Sequence, residues 1–254
     1  MNIMSETRKR LDQMLIERGI FPSRAKARAA IEGALVHVDG KLVTKGAQMV
    51  GEHVTIDVDP SAHLYVSRGA LKLEHALKNF GVDPAGLDCL DIGASTGGFT
   101  QVLLAHGARH VTAVDVGHSQ LAAELASDPR VTSLESLNAR DLTAEHLSHG
   151  IDLIVADVSF ISLTKALPAA LALAQPGAKL VALIKPQFEV GKGRVGKGGI
   201  VRDVALHAEA CETVTGWLAA TPGWRVLGVT DSPIEGGDGN KEFLVAAVLD
   251  GKSK

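Results

Sequence analysis

Cysteine is scarce in this chain of 254 residues: there are two, Cys89 and Cys211, far apart and in no CxxC pair. A disulfide framework and a cysteine zinc site are thereby excluded, and the pattern suits a reducing cytosol. Long apolar runs are also missing. None approaches the roughly 18 residues of a membrane span, and Met1 to Arg10 lacks the apolar core of a secretory signal. The chain therefore reads as soluble and cytoplasmic, and with 46% hydrophobic residues it should bury a substantial core. A strong charge of either sign is absent as well, since 26 Lys/Arg face 29 Asp/Glu for a net of -3. That total excludes a uniformly basic protein, but it hides a division. Residues 1–50 hold nine Lys/Arg against five Asp/Glu, a net of +4, and the other 204 hold seventeen against twenty-four, a net of -7. Such asymmetry can mark a basic module attached to a body of different purpose.

The first fifty residues predict two short helices and then strands. Leu11, Leu15 and Ile16 share one helical face, with Gly19 as a stop. Ser23 can cap a second helix, Arg24 to about Leu35, whose apolar stripe is Ala27, Ala30, Ile31 and Leu35. Val36 to Val38 and Lys41 to Val43 flank Asp39-Gly40 as a hairpin with a type I′ turn. Val54, Ile56 and Val58 alternate with polar residues as a half-buried strand does. The basic residues Arg8, Lys9, Arg10, Arg24, Lys26 and Arg28 are expected on the helical part of this module.

Asp59-Pro60-Ser61 reads as a boundary, followed by a helix from Arg68 to Phe80 that ends at Gly81. Strand and helix patterns then alternate. Strands are expected at Leu87–Ile92, His110–Val116, Val131–Glu135, Ile151–Asp157, Lys179–Lys185, Arg225–Thr230 and Glu242–Leu249. Helices are expected at Phe99–His106, Gln120–Ala126, Leu163–Ala174 and Val204–Ala220. Several strands are apolar on both faces, as in a sheet covered by helices on both sides. The fold class is thus α/β, a doubly wound, mostly parallel sheet, with the final pair of strands reversing at one edge.

In that class a ligand binds beyond the carboxyl ends of the strands. The first strand-to-helix loop, Asp91-Ile92-Gly93-Ala94-Ser95-Thr96-Gly97-Gly98-Phe99, has Ser95 where a dinucleotide GxGxxG would have glycine. Its small residues let backbone approach any nucleotide-like ligand. Asp115, closing the second strand, is either an ordinary strand-end turn residue or a carboxylate for two ribose hydroxyls.

This loop and Ala113-Val114-Asp115-Val116-Gly117 resemble the S-adenosylmethionine site of a class I methyltransferase. Together with Tyr65-Val-Ser-Arg-Gly-Ala-Leu-Lys72 and Lys185-Pro-Gln-Phe-Glu-Val-Gly-Lys192, the chain resembles the TlyA family. Its members, historically called hemolysins, are understood as ribosomal RNA 2′-O-methyltransferases of the FtsJ-like group. The resemblance implies a seven-stranded Rossmann-like methyltransferase domain at 67–254, a linker at 59–66 and an S4-like α+β RNA-binding domain at 1–58. It also implies a Lys-Asp-Lys-Glu tetrad, matched by Lys72, Asp157, Lys185 and Glu242, with Glu235 a nearby alternative to the last. On composition alone these would read as solvated strand ends and a surface helix lysine. Asp91, Gly93, Ser95 and Gly97 would surround the cofactor's methionine end, Phe99 would support the loop, Asp115 would hold the ribose and Asp157 would bridge cofactor and lysines. Asn138 is either the adenine reader or a turn residue. The implied substrate is a cytidine 2′-hydroxyl in ribosomal RNA or a ribosomal subunit, with no membrane and no required metal.

Gly191-Lys-Gly-Arg-Val-Gly196-Lys197-Gly198 fits GxxxxGK but has Gly where a P-loop needs Ser or Thr. It reads as a mobile basic loop whose Lys192, Arg194 and Lys197 can meet RNA phosphates, or as a loop that touches nothing. His106 with His110, and His146 with His149, have helix-like spacings but no companion ligands, so surface histidines are expected. The rival functions are a membrane-active hemolysin and a non-catalytic RNA-binding assembly factor.

Overall fold

The computed structural model describes residues 8–21, 23–32, 34–60, 65–236 and 238–250, without the side chains of Ala25, Ala29 and Lys192. The chain forms two compact units, Met1–Arg68 and Gly69–Lys254. Residues 61–64 of the expected linker lie outside the described residues.

The first unit runs β1 (Arg8–Arg10), α1 (Leu11–Glu17), α2 (Arg24–Glu32), β2 (Val36–Val38), β3 (Lys41–Leu42), β4 (Met49–Gly51) and β5 (Ile56–Val58). Leu11 and Leu15 of α1 and Ala27, Ala30 and Ile31 of α2 are buried in one core with Leu35. The Ser23 hydroxyl accepts the Lys26 N–H at 3.3 Å at the start of α2. Asp39 and Gly40 have φ of +50° and +72°, the backbone a type I′ hairpin requires between β2 and β3. β5 pairs antiparallel with β2, giving the order β3-β2-β5.

The basic residues are distributed differently from the sequence expectation. Arg8–Arg10 are not helical; they form β1, antiparallel to β4. The physical reason is non-local, because the partner strand lies some forty residues further on. Arg10 and Arg24 converge on the fully buried Asp12, at 2.8 Å and 3.1 Å. The Arg10 hydrogen bond, then that of Arg24, hold the Asp12 carboxyl down at about 2 although burial opposes them. Lys9 pairs with Glu17 at 2.7 Å and Arg28 with Glu32 at 3.0 Å.

The second unit runs α3 (Gly69–Phe80), β6 (Asp88–Ile92), α4 (Gly98–Ala105), β7 (His110–Val114), α5 (Ala123–Ala126), β8 (Val131–Leu134), β9 (Ile151–Ala156), α6 (Leu163–Ala166), α7 (Pro168–Leu173), β10 (Ala174–Ile184), α8 (Pro186–Glu189), α9 (Val204–Ala220), β11 (Trp224–Asp231) and β12 (Phe243–Leu249). Its seven-stranded sheet has the order β11-β12-β10-β9-β6-β7-β8. The run from β10 to β8 is parallel, and β6 is buried along its whole length, as expected for a strand covered on both faces.

The reversal at the end of the chain differs from expectation. β12 alone is antiparallel, and it inserts between β10 and β11 rather than at the edge. Burial explains the order. Phe243 to Ala247 of β12 are all buried and need cover on both sides, whereas β11 alternates and exposes Leu227 and Val229, as an edge strand tolerates. The helix expected over Leu163–Ala174 breaks at Leu167, because Pro168 cannot donate a backbone hydrogen bond and opens α7 instead. The helix expected from Gln120 begins only at Ala123. The Glu135 carboxylate takes the backbone N–H groups of Ser119, Gln120 and Leu121 and holds them out of helical pairing.

Candidate active site

The loop between β6 and α4 is shaped by glycines that no other residue could replace. Gly93 has φ +83°, and a Cβ there would sit 2.6 Å from the Asp157 carbonyl oxygen at the end of β9. Gly97, at φ +97°, caps α4, and a Cβ there would collide with Leu125 and Leu121. The loop is pinned from β7: Asp115 accepts the Ser95 N–H at 2.8 Å on one oxygen and the Gly117 N–H at 2.7 Å on the other. Each oxygen keeps a lone pair for a further donor. Both readings of Asp115, turn residue and hydroxyl acceptor, are therefore compatible with one geometry.

Beyond this loop lies a cavity of about 450 Å³, lined by Gly93, Ser95, Asp115, Asn138 and Asp157 and by apolar Val116, Leu137 and Ile161. Asn138 also caps the short turn after β8, accepting the Arg140 N–H at 3.1 Å, so its Nδ2 is the part left to face a ligand. Three of the expected cofactor residues do not line the cavity. Gly97 stays behind the loop, Phe99 is 3% exposed within the core, and Asp91 is fully buried beneath. Asp91 accepts the Thr100 hydroxyl at 2.7 Å with Oδ2, while Oδ1 has no hydrogen-bond partner among the described residues. Burial pushes its carboxyl up to about 7. A backbone cradle at Gly93 and Ser95 and the Asp115 carboxylate with open lone pairs fit a nucleoside, while Asp91 supports the loop from beneath.

Two lysine–carboxylate pairs stand beside the cavity. Lys185, following β10, approaches Asp157 to 2.6 Å and donates to the Ser159 hydroxyl at 2.9 Å. Lys72 of α3 meets Glu242, just before β12, at 2.5 Å, with side chains only 9% and 3% exposed. Burial pushes the Asp157 carboxyl up, but the charges of Lys185 and then Lys72 outweigh it and the net shift is downward. That both cations act on Asp157 places the two pairs together. Lys72 is thus a buried ion-pair partner, not the solvated helix lysine that its position off the apolar stripe suggested. Glu242, rather than the exposed Glu235, faces it. Gly236 makes room, since a Cβ there would lie 2.5 Å from Glu242 Oε1.

Several residues at the site carry no local sequence signal. Ser159 touches Lys185 and lines the cavity. Phe160 is 91% exposed at its mouth, in a left-handed backbone with φ +67°, with its ring centroid 5.3 Å from that of Phe188. An apolar ring held in water in a strained conformation is a sign of function. Glu189 of α8 ties the two loops together, accepting the Ser162 hydroxyl at 2.6 Å and the Leu163 N–H at 2.8 Å.

In the basic loop, Arg194 is paired with Glu209 of α9 at 2.6 Å, Lys197 is exposed, and the Lys192 side chain lies outside the described residues. The histidines have other partners: His106 bonds Glu74 at 2.9 Å, His110 packs on His149 at 4.7 Å and His146 caps Thr143. Among the described residues, no group of three or more His, Cys, Asp or Glu is placed to hold a metal. No helix among them is long and apolar enough to cross a membrane.

Known families and proteins match most of this chain. A family model described as FtsJ-like methyltransferase matches residues 65–249, and one described as S4 domain matches residues 9–56. The chain is 48% identical over 239 residues to the 16S/23S rRNA (cytidine-2'-O)-methyltransferase TlyA of Mycobacterium tuberculosis, covering 94% of this chain and 89% of that protein. It is 42% identical to Hemolysin A of Brachyspira hyodysenteriae, covering 94% and 100%. A solved structure of a putative hemolysin from Streptococcus thermophilus is similar at a TM-score of 0.75 and 39% identity, covering 97% of this chain and 90% of that one.

Proposed function

The chain belongs to the TlyA family of FtsJ-like methyltransferases, and on that footing we propose that it methylates a ribose 2′-hydroxyl of cytidine in ribosomal RNA. The observation that carries the reading is Asp157, which directly follows β9, lines the cavity and feels the charges of two lysines. When bound, S-adenosylmethionine supplies the activated methyl group. Asp115 would accept hydrogen bonds from its ribose hydroxyls, Asn138 would offer Nδ2 to its base, and Gly93 and Ser95 would line the path of its tail.

A ribose hydroxyl is a weak nucleophile and must lose its proton as it attacks. Lys185 is the residue that activates that hydroxyl. Ser159 accepts a hydrogen bond from its ammonium at 2.9 Å, and Asp157 forms an ion pair with it at 2.6 Å. Lys72, held by Glu242, adds a cation beside Asp157 and fixes the carboxylate in place. Leu137, Val158 and Ile161 give the cavity an apolar wall. The exposed Phe160 ring presents a face on which a splayed base can stack, which gives an RNA strand its register at the site.

Residues 1–58 form the RNA-docking module, in which Arg8 and Lys26 present charge to phosphates while Lys9, Arg10, Arg24 and Arg28 do so from ion pairs. Residues 67–254 carry the chemistry, and 59–66 link the two. The loop lysines Lys192 and Lys197, with Arg194, meet the backbone of the target strand. Ribosomal RNA as substrate places the work in the cytoplasm, and the mechanism requires no metal. A membrane-lytic activity has no spanning helix among the described residues to rest on.

The test is incubation with tritiated S-adenosylmethionine and separated ribosomal subunits, followed by mapping of the labelled nucleotide. Label on a cytidine 2′-oxygen is expected, and Lys185→Ala should bind the cofactor normally yet transfer nothing. Label in neither subunit, or transfer retained by the variant, would overturn the proposal.

A further inference from the structure

Outside the tetrad, two buried polar side chains converge on the end of the basic loop. Asn240 is 1% exposed; its Oδ1 accepts the Val201 N–H at 2.9 Å and its Nδ2 donates to the Gly199 carbonyl at 3.0 Å. His207 of α9, 8% exposed, donates through Nε2 to the Val201 carbonyl at 2.8 Å, and its ring lies edge-on to Phe243 at 5.7 Å. Both backbone groups of Val201 and the carbonyl of Gly199 are therefore satisfied by side chains from distant elements.

Upstream of this clamp the loop closes on itself. The Gly196 N–H donates to the Ile200 carbonyl and the Gly199 N–H to the Gly196 carbonyl, each at 3.1 Å. Gly198 and Gly199 have φ of +78° and +79°, and a Cβ on Gly196 would lie 2.8 Å from the Ile200 oxygen. Lys197 stands exposed within this turn, and its ammonium has no ion-pair partner among the described residues. Downstream, the Asn240 carbonyl accepts the Gly236 N–H at 2.9 Å, and Gly236 packs on the Glu242 carboxylate. One short segment thus holds the basic turn on one side and the tetrad glutamate on the other.

We propose that Asn240, assisted by His207, is a positioning residue that presents the Lys197 turn as a preset contact for a backbone phosphate of the RNA strand whose ribose enters the site. The inference deepens the RNA reading above and rests on it. A side-chain amide suits the role because it supplies the acceptor for Val201 and the donor for Gly199 at once; a carboxylate supplies only the first. A turn held in advance loses less freedom when the RNA binds, so the benefit falls on substrate affinity.

The experiment uses the full chain, a ribosomal subunit as substrate, and steady-state kinetics over a range of salt. Lys197→Ala should raise KM for the subunit about tenfold and reduce the salt slope by about one, as loss of one phosphate contact does. Asn240→Ala should do the same, with KM for S-adenosylmethionine unchanged and kcat within about twofold. The double variant should be no worse than Asn240→Ala alone, because the two act through one contact. If Asn240→Ala fails to fold, Asn240→Asp and His207→Ala replace it, and His207→Gln, which keeps the donor, should restore part of the loss. Additive effects, or a fall in kcat at unchanged KM for the subunit, would overturn the clamp. Lys197→Ala with unchanged KM and salt slope would overturn the phosphate contact. Absence of methyl transfer by the unmodified protein would instead defeat the underlying functional reading.

Discussion

Replacing Glu242 by alanine leaves Lys72 as a buried ammonium without its ion-pair partner. The pair is 2.5 Å apart with both side chains almost wholly covered, and breaking one side of such a pair costs about 3–5 kcal/mol. Asp157 lies close enough to feel Lys72 and offsets part of the loss, so we expect about 3 kcal/mol, a large share of a typical stability of about 5–15 kcal/mol. Both tryptophans, Trp217 and Trp224, sit in α9 and β11 of the second unit. Their fluorescence during urea unfolding therefore reports that unit alone, and with a slope of about 1–3 kcal/mol per molar the midpoint should fall by about 1–3 M. The double variant Lys72→Met with Glu242→Leu removes both charges and should recover most of the loss, since an apolar pair of similar volume replaces a buried ion pair at little cost. Neither variant should transfer methyl groups. A loss below about 1 kcal/mol for Glu242→Ala, or a double variant no more stable than the single, would refute the claim that this buried pair is a mutually dependent unit.

Two further outcomes follow from the geometry. Gly93→Ala adds a Cβ 2.6 Å from the Asp157 carbonyl in a backbone at φ +83°; the left-handed conformation alone costs about 1–2 kcal/mol, and the clash moves Asp157, so calorimetric titration should show S-adenosylmethionine affinity reduced at least about tenfold, and unchanged affinity would show that the loop does not shape the site. Asp12 has its carboxyl held at about 2 against an ordinary 3.8. Its contribution of about 2–3 kcal/mol is present above 3.8 and lost as pH falls from 3.8 through about 2, because the unfolded chain binds the proton first. Hydrogen exchange in α1 should accelerate across that window, and Asp12→Asn, already destabilised, should show a flatter pH response; equal responses would contradict the Arg10–Asp12–Arg24 arrangement.

Much of the second unit was legible from local pattern. Strands such as Leu90 to Ile92 and Ile154 to Ala156 are apolar on both faces because they are covered on both faces, so burial is written directly into composition. The glycine loop was legible for the same reason, since positive φ and close approach leave few alternatives to glycine at positions 93 and 97. The hairpin at Asp39-Gly40 depends only on the backbone preferences of neighbouring residues, whereas the break at Pro168, equally local in cause, departs from the single helix expected over Leu163–Ala174.

What the sequence by itself determined, then, was the set of elements, the end of the sheet that bears the loop and, through resemblance, the residues to watch. Only the tertiary structure decided who meets whom. Lys72 and Glu242 are 170 residues apart, and their pairing arises because β12 enters the sheet beside β10, a choice no periodicity records. The strand at Arg8–Arg10 exists because Met49–Gly51 is there to pair with it. The clamp of Asn240 and His207 on Val201 joins three elements that share no local signal. Propensity and patterning act over a few neighbouring residues, whereas charge burial and hydrogen-bond satisfaction are settled by whatever the folded chain brings within about 3 Å.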